Sequence, residues 1–276
     1  MLAVPLSLAV LAALASPRPR ALEHTRPPQS HDVTVVATDF KLSLPSTLTA
    51  GPTTFRLENR GRELHQLYLV KLAGGRSAAD LVDAIKAGGP PPSWATDAGG
   101  PNGVDPGTTS AATTVPLTPG HYAALCIIPG PDGVPHVMKG MYTDLTVTPG
   151  VRTASLPAKA DLTISLVDYG YGTSAPLTAG SHHIVVKNEG KQSHELEIAR
   201  LLPGKTPADL AAWAEKMAGP PPANFVGGIS PLAPGKQNEL ALTLTPGQYV
   251  MLCFLPDAKD GKPHTAHGMV RPFQIQ

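Results

Sequence analysis

Along much of the chain, apolar and polar residues alternate at the two-residue period of a half-buried strand. DVTVVATDF (32–40), TTFRLEN (53–59) and TSAATTVPLT (109–118) show this pattern with β-branched enrichment. DLTISLVDY (161–169), HHIVVKN (182–188) and ELALTLT (239–245) show it again later. Gly, Pro and Asn punctuate these runs, which predicts many short strands separated by turns. Two stretches break the alternation with a helical period: SAADLVDAIKAGGPPP (77–92) and TPADLAAWAEKMAGPPP (206–222). Ser77 and Thr206 suit the N-cap, and Pro207 suits the first helical position. Leu81, Val82 and Ile85, like Leu210, Trp213 and Met217, can share one helical face. The Gly-Pro-Pro-Pro runs stop both helices.

The two sets of elements are copies. Leu48-Thr49-Ala50-Gly51 returns as Leu177-Thr178-Ala179-Gly180, and Asn59-x-Gly61-x-x-x-His65 as Asn188-x-Gly190-x-x-x-His194. Pro119-Gly120-x-Tyr122-x-x-x-Cys126 returns as Pro246-Gly247-x-Tyr249-x-x-x-Cys253. The spacing between copies is far longer than a solenoid repeat, so a whole domain of about 120 residues is duplicated. Each copy reads as an all-β sandwich with one inserted helix. The expected boundaries are 32–149 for the first domain, 150–159 for a linker and 160–276 for the second domain.

The N-terminus stands apart. Leu2 to Ala15 is apolar and uncharged, too short for the roughly 20 residues of a membrane span. It reads as the core of an export signal over 1–21, followed by a polar leader over 22–31 that carries His24 and His31. A buried N-terminal helix is the alternative. The expected location is therefore outside the cytoplasm (periplasmic or secreted), with no stable membrane insertion.

Composition narrows the function. With 22 Lys+Arg against 21 Asp+Glu, the chain has no global field to draw nucleic acid or an anionic membrane. Charged residues are 16% and hydrophobic residues 42%, which excludes a disordered charged tail. Two cysteines cannot build a disulfide scaffold, and they occupy matching positions in the two copies. An exported protein that keeps two unpaired thiols calls for a reason.

The residues after each cysteine supply one. In CIIPGPDGVPHVMKGM, nine residues separate Cys126 from His136 and four separate His136 from Met141. In CFLPDAKDGKPHTAHGM, ten separate Cys253 from His264 and four separate His264 from Met269. With His65 and His194 upstream, each copy offers two histidines, one cysteine and one methionine. A thiolate and two imidazoles in a trigonal plane with a weak thioether make a blue-copper electron-transfer site. Taken singly, the same residues have plainer readings: a buried inert thiol, a core-edge histidine bonded to backbone, a packing methionine. Tyr122 and Tyr249 read as structural, closing the loop before the last strand. His182 and His183 are adjacent on a strand and face opposite ways, so a shared metal is not expected. His267 and Met138 read as solvated rim residues.

The chain resembles tandem cupredoxins. The N-x-G-x-x-x-H segment resembles the first-histidine region of plastocyanin, and the G-x-Y-x-x-x-C approach and H-x-x-x-G-M exit resemble the cupredoxin ligand loop. The Cys-to-His loop is longer than in plastocyanin or azurin and closer to the type 1 site of copper nitrite reductases. The resemblance implies two Greek-key β-sandwiches with one type 1 copper each. One copper would be held by His65, Cys126, His136 and Met141, the other by His194, Cys253, His264 and Met269. It also implies electron transfer with an unidentified redox protein, or copper exchange with a donor or acceptor. The rivals are non-redox copper capture or delivery, and a metal-free interaction module. Nitrite reductases and multicopper oxidases carry histidines beside the cysteine or in H-x-H pairs. Here Leu125 and Ile127, and Leu252 and Phe254, flank the cysteines, and H-x-H is absent. The expectation is a protein without type 2 or trinuclear copper and without enzyme activity.

Overall fold

A computed structural model of the chain describes residues 31–150, 159–214 and 219–276. The expected signal peptide, all of the leader but His31, and most of the linker lie outside the described residues, as does Met217. The first copy forms β1 (His31–Thr38), β2 (Lys41–Ser43), β3 (Thr47–Thr49), β4 (Gly51–Asn59), β5 (Tyr68–Leu72), helix α1 (Ala78–Ala87), β6 (Ala95–Gly99), β7 (Ala112–Leu117), β8 (Gly120–Leu125) and β9 (Tyr142–Thr148). The second forms β10 (Leu162–Val167), β11 (Gly170–Thr173), β12 (Gly180–Asn188), β13 (His194–Leu201), helix α2 (Pro207–Ala214), β14 (Ala223–Leu232), β15 (Gln237–Leu244), β16 (Gly247–Leu252) and β17 (Val270–Ile275). The all-β class with one inserted helix per copy is as expected. His31 is not part of a leader: it opens β1, where it pairs with Thr53 of β4.

Alternation in the sequence becomes alternation of faces. In β1, Val33, Val35 and Ala37 point inward; in β4, Thr53, Phe55, Leu57 and Asn59 do. The first core gathers Val33, Val35, Ala37, Phe55 and Leu57 with Leu69, Leu145, Cys126 and Met141. The second gathers Ile164, Leu166, Ile184, Leu196, Cys253 and Met269. Each candidate sulfur ligand is thus a core residue.

Helix α1 starts at a capping box, in which the Ser77 hydroxyl accepts from Asp80 N while Asp80 accepts from Ser77 N. Thr206 and Asp209 do the same at α2. Leu81 and Val82 of α1 pack over Val70, Leu72, Ala123, Leu125 and Val137, each such burial contributing about 1.5–3 kcal/mol. Ile85 is exposed instead, because the helix meets the sheet along the narrower line of Ala78, Leu81 and Val82. In α2, Leu210 is buried and Trp213 packs on Phe225. No helix among the described residues is long and apolar enough to cross a membrane.

The two copies are not beads on a string. One sheet runs β11-β10-β12-β15-β7-β4-β1-β2 and the other β17-β16-β13-β14-β6-β5-β8-β9-β3, so both pass through both copies. The joints are β7 with β15, where Thr114 faces Glu239 and Thr113 faces Leu240, and β6 with β14, where Ala98 faces Leu232. Side chains stitch the same seam. Asn238 Nδ2 donates to Ala98 O at 3.2 Å and Ser230 Oγ donates to Pro101 O at 3.0 Å. The seam allows no added bulk: a Cβ on Gly228 would sit 2.1 Å from Leu196 O and 3.1 Å from Asn102 Cβ.

Candidate metal centres

Each N-x-G-x-x-x-H segment is a loop wound around its asparagine. Asn59 Nδ2 donates to Glu63 O and Val104 O, while its Oδ1 accepts from Gly61 N at 2.8 Å. Asn188 repeats this with Gln192 O, Leu232 O and Gly190 N. The loop delivers His65 just before β5 and His194 at the start of β13. The cysteine follows the last residue of the neighbouring strand, β8 or β16, so strand pairing alone brings it beside the histidine.

The long loop then returns. Val137 N donates to Cys126 O at 2.8 Å and His136 N to Ile128 O at 3.0 Å. In the second copy Thr265 N donates to Cys253 O at 3.1 Å and His264 N to Leu255 O at 2.8 Å. A bridge between Pro129 and Pro135, and another between Pro256 and Pro263, closes each loop at its neck. The additional residue of the second loop falls beyond that neck and does not disturb the return. Each histidine opens a single 3₁₀ turn, His136–Lys139 or His264–His267, ended by Gly140 or Gly268 at φ 97°. Only glycine takes that conformation without strain, which explains the glycine before each methionine. Met141 N and Met269 N donate back to His136 O and His264 O, both at 3.0 Å.

The predicted residues converge. The ligand atoms of His65, Cys126 and His136 all lie within 4.8 Å of one another, as do those of His194, Cys253 and His264. Nδ1 of His65 is 3.1 Å from Nδ1 of His136, and Cys126 Sγ is 3.5 Å from the latter. In the second copy the corresponding distances are 3.1 and 3.2 Å. All six side chains, with Met141 and Met269, have no exposed surface. The cysteines are free, and each sulfur accepts a backbone N–H at 3.4 Å, from Gln66 or Glu195.

Protonation decides what such a cluster can hold. His65 Nε2 meets Asp39 Oδ1 at 2.9 Å, His136 Nε2 meets Glu63 Oε2 at 2.8 Å and His194 Nε2 meets Asp168 Oδ1 at 2.8 Å. An ionised carboxylate only accepts, so each Nε2 carries the proton and each Nδ1 turns a lone pair inward. Burial pushes Asp39 up, but hydrogen bonds from His65 and Arg62 N–H outweigh it and hold its carboxyl below the usual range. Burial lowers His65 and His136, against the pull of their carboxylates, so both imidazoles favour the neutral form. Burial also pushes the Cys126 thiol up to about 12 and raises Cys253 well above its ordinary value. The first cluster thus has two lone pairs 3.1 Å apart and one thiol proton to share between them. A bound cation relieves that repulsion and converts the thiol to a thiolate. Both groups are able to hold a metal ion.

The two centres differ in one contact. His264 Nε2 is 3.8 Å from Asp257 Oδ2 and has no hydrogen-bond partner. Asp257 is engaged by Tyr169 Oη at 2.5 Å and Gln192 Nε2 at 2.8 Å. Burial and the neighbouring His194 push His264 down to about 4. Gln192 stands where the first copy has Glu63 and itself binds Asp257, so no carboxylate is hydrogen-bonded to His264.

The supporting carboxylates were not singled out from the sequence, although Asp39-Phe40 returns as Asp168-Tyr169 at the spacing that relates His65 to His194. The aromatic partners are functional neighbours too: Phe40 lies 5.0 Å from the His136 ring and Tyr169 5.6 Å from that of His264. The remaining candidates fall elsewhere. Tyr122 and Tyr249 hydroxyls donate to Thr118 O and Thr245 O, pinning the turns before β8 and β16. His182 bonds Thr178 O and His183 bonds Glu239, on different partners. His267 sits at the rim, 3.1 Å from Asp260, against Tyr169.

The motif glycine now has a reason. A Cβ on Gly61 would lie 2.4 Å from Asp39 Oδ1 and 2.6 Å from His65 Nε2. Gly61→Ala is expected to drive that pair apart and remove metal binding at the first centre alone. Metal content of the purified variant, read against Gly170→Ala (whose added Cβ would meet only Val167 Cγ2, at 3.7 Å), checks this; unchanged loading would refute it.

No protein-family model matches the chain, and neither does any curated protein. Among solved structures it is similar to a dithionite-reduced auracyanin from Roseiflexus castenholzii, with 24% identity, TM-score 0.31, and coverage of 41% of this chain and 94% of that one. It is similar to auracyanin A of Chloroflexus aurantiacus, a "blue" copper protein, with 21% identity, TM-score 0.32, and coverage of 44% and 100%. A copper nitrite reductase from Nitrosomonas europaea aligns with 14% identity and TM-score 0.27, over 90% of this chain and 94% of that one. The two buried His–Cys–His groups stand at matching places in the two copies of the β fold.

Proposed function

We propose that this chain is an exported blue copper protein that carries electrons, with one copper in each copy. The observation that supports this best is the inward-facing donor set. Two neutral imidazoles, locked by Asp39 and Glu63 in the first centre, bring their Nδ1 atoms to 3.1 Å from each other, with the buried Cys126 thiol 3.5 Å from that of His136. Copper bound there would supply a one-electron couple in a donor set of thiolate, two imidazoles and a weak thioether. His65, Cys126, His136 and Met141 hold the first ion in this reading; His194, Cys253, His264 and Met269 hold the second.

The chain's own residues keep the donors in place. Asp39, Glu63 and Asp168 fix ring orientation and strengthen the imidazoles as donors. The N–H groups of Gln66 and Glu195 stabilise negative charge on sulfur. Complete burial excludes water and favours retention of the ion over its delivery to an acceptor. Export rests on the apolar run from Leu2 to Ala15 and on two thiols kept out of disulfide exchange by burial. The partner in this reading is a redox protein, and no bond-making step is involved.

The test is to load the chain with Cu(II) and record copper content and visible spectrum. About two coppers per chain with an intense thiolate-to-copper band are expected. Tight Cu(I) binding without the band would favour capture or delivery. No copper in either oxidation state would overturn both.

A further inference from the structure

The rims of the two centres differ in charge as well as in hydrogen bonding. In the first copy Lys139 Nζ pairs with Asp132 Oδ1 at 2.8 Å and lies 4.6 Å from the Phe40 ring centroid. A Cβ on Gly130 would meet Lys139 Nζ at 2.5 Å, Glu63 Oε2 at 2.9 Å and Asp132 Oδ1 at 3.0 Å, so two carboxylates and an ammonium converge there. Along the ligand loops Asp132 corresponds to Asp260, Lys139 to His267 and Gly130 to Asp257. The second rim thus keeps two carboxylates but exchanges the ammonium for an imidazole, which is a metal donor.

Asp257, Asp260 and His267 have ligand atoms within 4.8 Å of one another. Donors about 2.0–2.2 Å from one ion lie at most about 4.4 Å apart, so the three need to close by only a few tenths of an ångström. Asp260 and His267 are partly exposed, at 38% and 29%, which leaves room for that shift and for water. Asp257 is buried, and hydrogen bonds from Tyr169, Gln192 and Lys259 N–H hold its carboxyl well below the usual range, so it is ionised. These bonds use three of the roughly four acceptor positions of a carboxylate and leave one on Oδ1. Asp260 Oδ1 accepts from Lys262 N and meets His267 Nε2 at 3.1 Å. Its Oδ2 faces the exposed Lys262 ammonium at 3.8 Å, beyond hydrogen-bond reach. A further atom is aimed at the cluster: His264 Nε2, fully buried and without a hydrogen-bond partner, stands 3.8 Å from Asp257 Oδ2.

From these donors and the unpartnered nitrogen beside them, we infer that Asp257, Asp260 and His267 bind one divalent cation of the manganese or zinc class. Two carboxylates and one imidazole suit such ions, with water completing the coordination. The ion would replace the proton between His267 Nε2 and Asp260 Oδ1, the ring keeping its proton on Nδ1. A water carried by the ion would give His264 Nε2 the hydrogen bond it lacks. The site shares no ligand with the candidate copper centres, and Lys139 closes the corresponding place at the first of them.

Mn(II) alone is the probe, because so hard an ion competes poorly for the buried thiol centres. Titration of the copper-free full chain, read by the paramagnetic resonance signal of free Mn(II), is expected to show one ion bound per chain. His267→Lys, which restores the first copy's lysine, is expected to weaken binding at least about tenfold and to leave the thermal midpoint intact. Asp260→Asn is expected to weaken it likewise, and Cys253→Ser to leave it unchanged. No Mn(II) bound by the folded wild type, undiminished binding in His267→Lys and Asp260→Asn, or loss of binding in Cys253→Ser would each overturn the inference. None of these results would touch the copper reading, which stands or falls on the spectrum.

Discussion

Cys126→Ser and Cys253→Ser, made separately, are each expected to remove one copper and about half of the thiolate-to-copper absorption, leaving the fold intact. Serine is nearly isosteric with cysteine, and both sulfurs are core atoms with no exposed surface, so packing is conserved. What is lost is a soft anionic donor, since a buried hydroxyl does not ionise at neutral pH. The hydrogen bond from Gln66 N or Glu195 N to sulfur passes to the oxygen. The two single-site proteins should not be interchangeable. The first centre has a carboxylate hydrogen-bonded to each imidazole, whereas Asp257 stands 3.8 Å from His264 Nε2 and makes no hydrogen bond to it. Stronger donation stabilises the oxidised ion, so the site left in Cys253→Ser is expected to have the lower reduction potential. Copper analysis, absorption and voltammetry check these outcomes. Loss of both bands in either variant, or of neither, would show that the ligands are misassigned.

The second large effect concerns the seam. Phe55→Ala, in the core of the first copy, is expected to cost about 3–5 kcal/mol and to destabilise the second copy by the same event. Phe55 is fully buried in β4. β4 pairs with β7, and β7 pairs across the seam with β15. Both sheets are continuous, so unfolding one copy exposes two strand edges and the groups bonded across the joint, including Asn238 and Ser230. The two tryptophans provide one reporter per copy. Trp94 packs by α1 and Trp213 lies on α2 against Phe225. Trp94→Phe and Trp213→Phe backgrounds should give coincident denaturant transitions, and Phe55→Ala should shift both midpoints together. A Trp213 midpoint that stays put while the Trp94 midpoint falls would show that the copies unfold separately.

The candidate ligands were legible in the sequence because the duplication showed each of them twice in the same order. The N-caps at Ser77 and Thr206 and the inward alternation of β1 and β4 were legible because they obey local rules. Ile85 was misplaced because helical period gives a face but not the width of the contact. His31 was misplaced because a strand's first residue is set by its partner Thr53, which is distant in sequence. Asp39 and Asp168 repeat as faithfully as the histidines, but an aspartate in the turn after a strand has no chemistry of its own until the fold sets an imidazole against it.

The sequence by itself determined a duplicated all-β chain with His, Cys, His and Met in each copy, since residue order and period are one-dimensional facts. Only the tertiary structure decided which nitrogens face inward, that no carboxylate is hydrogen-bonded to His264, and that the copies share two sheets. Tautomer, hydrogen-bond satisfaction and strand pairing between copies depend on distances between residues far apart in the chain, which the order of residues does not contain.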